Sequence, residues 1–139
     1  MKKYLISASI YLSLGLCGGV YFREFTKLFN FNGTTSLSFV HFHFLVLGFL
    51  FSLIVFLLSR MIDFKNSKLE KPFFILFNIG LPIMTSCMLI KGTLQVLNSY
   101  STPYISIIAG IAGIGHMITA ISLILFIIML FKSIKKEQE

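Results

Sequence analysis

Acidic side chains are scarce in this chain, with five Asp and Glu against twelve Lys and Arg in 139 residues. All five (Glu24, Asp63, Glu70, Glu137 and Glu139) fall outside the long apolar runs. That excludes carboxylate-bridged di-metal centres and acid–base hydrolysis by paired carboxylates. Cysteine is equally sparse, and Cys17 and Cys87 each lie inside an apolar run. They read as small packing residues, not as a disulfide or a thiolate metal pair. No Cys-x-x-Cys-His occurs, so covalent haem attachment is not indicated. Tryptophan is absent, and there is no low-complexity tract, internal repeat or polar stretch long enough for a soluble domain.

What the chain has in abundance is apolar surface: 56% hydrophobic residues, sixteen of them Phe. A soluble domain of this length could not bury so much, so the expected class is an all-α integral membrane four-helix bundle. Spans are expected at about 4–22, 37–59, 73–94 and 104–131, forming one domain over residues 1–139. Leu16 ahead of Cys17 is too large for lipoprotein-type processing, so the first run reads as a retained span. Gly15 and Gly19 form a small-x-x-x-small pair suited to close helix approach. Arg23 to Ser36 reads as a polar connection, with a turn at Asn30-Phe31-Asn32-Gly33. Arg60 to Lys71 reads as a charged loop, and Ser99 to Pro103 as the last turn. Pro72 suits a first helical turn, while Pro82 removes the donor for the carbonyl of Asn78 and predicts a kink.

The net charge of +7 clusters at span ends, which speaks for membrane orientation and against nucleic acid. Lys2, Lys3, Arg60, Lys65, Lys68, Lys71, Lys132, Lys135 and Lys136 share one side, and only Arg23, Lys27 and Lys91 the other. Both termini are therefore expected in the cytoplasm of a bacterial cell membrane.

The chain's three histidines, His41, His43 and His116, all lie within apolar runs, where an ionisable group is costly and usually functional. His43 precedes Arg60 by seventeen residues and His116 precedes Lys132 by sixteen. At about 1.5 Å per residue both sit roughly 25 Å from the same charged boundary. A shared level suggests a shared ligand. Residues two apart on a helix point about 200° apart, so His41 and His43 face different ways. His41 continues through Leu45, Gly48, Ser52 and Ser59, a small and polar face that suits a macrocycle or a close helix. His43 continues through Val46, Leu47, Leu50 and Ile54, a bulky face directed to lipid, another subunit or a second site. Ala109, Ala112, Gly113, His116, Thr119 and Ala120 form a further small-residue stripe.

Imidazole binds Zn, Cu and haem iron alike. With no acidic residue or cysteine near the histidines in sequence, haem b fits best, since it needs one or two axial imidazoles and apolar walls. Arg23, Lys27, Lys91, Tyr100 and Tyr104, on the side nearer the histidines, are candidate partners for its propionates, or ordinary interfacial anchors.

The segment Val40-His41-Phe42-His43-Phe44-Leu45-Val46-Leu47-Gly48 resembles the His-x-His helix of the haem–copper oxidase catalytic subunit. It is also similar to a segment of the bacterial nitric-oxide-response membrane proteins. The whole chain looks like a family of small four-span bacterial membrane proteins carrying this motif. The oxidase resemblance covers about fifteen residues of the second span. Because that subunit consists of three quasi-equivalent sets of four spans, the resemblance implies a homotrimer. His41 of one copy and His43 of its neighbour would then hold one haem at each interface. The rival arrangement keeps the haem inside one bundle, with His116 as a ligand. His-x-x-x-Tyr and the copper-site histidines are missing, so catalytic oxygen reduction is not implied.

The expected function is bis-histidine b-type haem binding for electron transfer or for haem, nitric-oxide or quinol related redox work. A quinone or another redox carrier is the expected partner. The alternatives are a haem-free accessory or assembly protein, and a small metal or solute carrier using the Asn78–Pro82 span.

Overall fold

The structure, a computed structural model, describes residues 2–62, 67–98 and 103–138, with residues 103 and 136–138 described by backbone alone. Asp63, Lys65 and residues 99–102 of the turn expected at Ser99 to Pro103, Tyr100 among them, lie outside the described residues.

Four helices account for nearly all of it: α1 (Lys2–Leu28), α2 (Leu37–Met61), α3 (Glu70–Val96) and α4 (Pro103–Gln138). No strand occurs among the described residues. Each helix is long and apolar enough to cross a bilayer. All four outrun their apolar cores, and α1 shows why. Arg23, Glu24 and Lys27 were expected in a connection, but they continue the helix to Leu28. These are good helix formers, and Tyr21, Phe25 and Phe29 stack along one side at 5.0 and 4.9 Å between ring centres. The turn falls one step later, where Asn30 adopts φ 47°.

The half of the bundle nearer the termini is filled by aromatic rings. Phe51 and Phe73 each meet Phe126, at 5.2 and 5.1 Å, and Phe51 meets Phe77 at 5.2 Å, joining α2, α3 and α4. Buried polar groups there are satisfied across helices. Ser7 and Tyr11 of α1 both donate to Asn78 Oδ1 of α3, at 3.1 and 2.9 Å, while Asn78 Nδ2 donates to Phe74 O at 2.8 Å. At the rim, Glu70 accepts from Tyr4 and pairs with Lys3, both at 2.7 Å.

The other half is drawn together by small residues. A Cβ added at Gly115 of α4 would lie 2.7 Å from Met84 N, and one at Gly80 would lie 2.8 Å from Thr119 N. The backbones of α3 and α4 therefore touch with nothing between them. Gly15 faces the Leu45 side chain and Gly48 the Tyr11 ring, so α1 and α2 meet in the same way. The close-helix option for the small face of His41 is thus what the fold adopts.

Within α2 the segment Phe44–Leu50 winds as a π-helix, and the Phe51 amide reaches back five residues to Val46 O. Buried Val40, Phe44, Gly48 and Ser52 recur every fourth residue. At 3.6 residues per turn such a line would drift around the helix, and the wider winding keeps it on one side. The face of His43 changes accordingly. Instead of continuing only through lipid-exposed residues, it aligns with Phe51, and both rings reach α4.

Gly115→Val should push α4 off α3. We expect a loss of about 1–3 kcal/mol in a denaturant titration of the detergent-solubilised protein. Gly113→Val, at an open position with nothing within 4 Å of the added Cβ, should cost much less.

Candidate metal-binding site

His43 comes from the last α-helical turn before the π segment, and His116 from the middle of α4, one residue after the glycine that contacts α3. Their ring centres stand 6.3 Å apart with the planes at 85°. Each ring is held in the same way. His43 Nδ1 lies 2.7 Å from Phe39 O, and His116 Nδ1 lies 2.8 Å from Ala112 O, in both cases the carbonyl four residues back on its own helix. A carbonyl can only accept, so each Nδ1 carries a proton, and the neutral tautomer compatible with that contact has its lone pair on Nε2. Two imidazole lone pairs share one small region of an apolar bundle. A backbone carbonyl on the remote nitrogen is also how metal-bound histidines are commonly oriented.

The spacing suits one ion between two rings. A metal–imidazole bond is about 2.0–2.1 Å, and the ring centre lies about 1 Å beyond the nitrogen. Rings on opposite sides of an ion thus have centres roughly 6 Å apart. No group of three or more His, Cys, Asp or Glu that could hold a metal occurs among the described residues. Zn or Cu(II), which take three or four protein ligands, find no complete set here. Haem iron brings four ligands of its own and asks the protein for one or two. Beside His116, the small side chains of Ala112, Gly113 and Ala120 leave open surface, with Gly113 and Ala120 exposed.

His41 goes elsewhere. Its ring stacks on Phe22 of α1, at 6.1 Å between centres and 15° between planes, and it packs over Gly18 and Gly19. Its Nδ1 is buried with no hydrogen-bond partner. The tautomer protonated on Nε2 leaves only a lone pair there, which costs less than an unpaired N–H. The expected interface site, His41 of one copy with His43 of the next, needs both rings turned out of their own bundle. Here His41 faces its own α1 and His43 its own α4.

The other residues expected at the site scatter. Gly48 serves the contact with Tyr11, on the α1 side of α2. Arg23 is exposed in the last turns of α1 and pairs with Glu24 at 3.7 Å. Lys91 is half-buried near the same end of α3, and Tyr104 is exposed at the start of α4. Cys17 is exposed, Cys87 is buried, and both thiols are free. Phe39, whose carbonyl orients the His43 ring, was not singled out in the sequence, and Ala112 entered only as one of a stripe of small residues and not for its carbonyl. Their signal was the i−4 position relative to each histidine, which becomes informative only once helical backbone is established.

Four bilayer-length helices, with acidic and basic side chains kept toward their ends, define a multi-pass α-helical membrane protein. The chain belongs to the family described as Protein of unknown function (DUF2871), whose profile matches residues 1–133. No curated protein and no solved structure matches it significantly.

Paired cysteines test the geometry without any cofactor. With Cys17 and Cys87 replaced by serine and alanine, His43→Cys together with His116→Cys should cross-link efficiently with a short thiol-bridging reagent. His41→Cys with His116→Cys should remain uncross-linked, as read by gel mobility and mass.

Proposed function

We propose that this chain is a b-type haem protein of the bacterial cell membrane that carries electrons, and that His43 and His116 are the residues that would hold the haem iron. The observation that supports the reading best is the matched pair of rings, both with Nδ1 committed to an i−4 carbonyl and Nε2 left free. Bound there, haem iron would supply one-electron redox chemistry. The protein's share is to fix both imidazoles in the ligating tautomer, to hold them on helices locked by glycine contacts, and to keep water away. With both imidazoles committed to the iron, the site would favour electron transfer over substrate chemistry at the metal.

The remaining parts of the proposal are cytoplasmic termini, supported by the basic rim, and a homotrimer, supported by the likeness of residues 40–48 to the oxidase helix. In such a trimer a neighbouring copy would cover the open stripe beside His116. The interface arrangement, with His41 as a ligand, is the competing form of the same idea. A haem-free accessory role is the second reading. It is favoured by the fact that both rings already satisfy their N–H groups within their own helices.

Absorption spectra of the detergent-purified chain, expressed with ample haem, separate these readings. We expect a Soret band with a six-coordinate low-spin signature, lost in His43→Ala and in His116→Ala and retained in His41→Ala. Loss in His41→Ala with retention in His116→Ala would shift the site to the interface. Absence of a Soret band, with normal folding after all three histidines are replaced, would leave the haem-free reading. A pyridine-haemochrome assay and the mass of the assembled particle give the stoichiometry and test the trimer.

A further inference from the structure

A cavity of about 360 Å³ opens where the end of α1, the connection to α2 and the last turns of α3 meet. Its lining includes Phe22 and Phe39 together with Thr34, Ser36, Ser38 and Gln95. Part of this polar set is used by the fold. Ser38 donates to Thr35 O at 2.9 Å, and Gln95 Oε1 accepts from the Ser36 amide at 2.7 Å. The rest is uncommitted: Thr34 Oγ1, Ser36 Oγ and Gln95 Nε2 make no hydrogen bond among the described residues. Among the described residues no charged side chain lines the cavity.

That chemistry selects the ligand class. An ion would find no counter-charge, and a purely apolar tail would leave the hydroxyls and the amide unpaired. A neutral, flat ring with oxygen functions on its edge satisfies both surfaces, with its faces against phenyl rings and its oxygens toward Thr34, Ser36 and Gln95. The volume lies within the ordinary range of small-molecule sites. Position narrows the choice further. Phe22 also stacks on His41, and Phe39, which lines the cavity, gives its carbonyl to His43 Nδ1. A ligand seated against Phe39 is thus separated from a histidine ring by a single residue's backbone.

We infer that this cavity binds the ring of a membrane quinone or quinol. The inference rests on the electron-carrying role proposed above for its choice of ligand, and on the cavity alone for its geometry. Isothermal titration of the detergent-purified full chain with menadione tests it, on wild type and on a His43→Ala, His116→Ala variant prepared without haem. Binding is expected in both, because the cavity does not require the metal. Thr34→Val with Ser36→Ala removes the two uncommitted hydroxyls with little change in volume and should weaken binding at least about tenfold. Its thermal unfolding should match wild type, since neither hydroxyl holds the fold together. No binding to wild type, or unchanged binding to the Thr34, Ser36 variant, would overturn the assignment. Quinone binding without a Soret band would remove the haem and keep this site. A Soret band with no quinone binding would do the reverse.

Discussion

A ring N–H within hydrocarbon has no water to turn to, and the nearest acceptor is the carbonyl four residues back on its own helix. His43 and His116 both take that partner, at Phe39 O and Ala112 O. The same constraint places Thr85, Thr93 and Thr119 hydroxyls on the carbonyls of Leu81, Leu89 and Gly115. For threonine the bond merely satisfies a donor. For histidine it also selects the tautomer, and so sets which nitrogen remains for chemistry. Local hydrogen bonding at two positions far apart in the chain thereby produces one pair of equivalent, ligating-form imidazoles.

That pair meets only because the helices stand close. Lipid gives apolar side chains no reason to prefer each other over acyl chains, so association rests on contact and on cross-helix hydrogen bonds. Gly80 and Gly115 bring α3 and α4 into backbone contact, and the residue after Gly115 is His116. On the other side, Gly15 and Gly48 seat α2 on α1, leaving His43 free to turn toward α4. The π segment completes the alignment by holding the α1-facing line straight while His43 and Phe51 both reach α4. Packing, polar satisfaction and a local change of helical pitch converge on the same two rings.

Much of this was legible in the residues. Four apolar runs gave four helices, and the equal distances of His43 and His116 from basic boundaries anticipated that they would be level. The opposite orientations of His41 and His43 followed from a 100° turn per residue. Other features were hidden for physical reasons. The extension of α1 past Arg23 was obscured because charged residues that end a hydrophobic run do not end a helix. The π segment has no sequence signature in a run of Phe, Leu and Val, since it is set by what the two faces must touch. Gly48 read as room for a macrocycle or a close helix, and the fold sets Tyr11 of α1 against it, because a missing side chain does not say which neighbour fills the space.

What the sequence by itself determined is the solvent this chain lives in, the number of its helices and the rarity of groups able to do chemistry. Those are properties of composition and period, fixed before any two helices meet. What only the tertiary structure decided is which histidines become partners. His41 and His43 are two residues apart yet turn to different helices, while His43 and His116 come together edge-on from α2 and α4. The reason is that direction around a helix is read locally, but the identity of the neighbour depends on where each glycine lets another backbone come near.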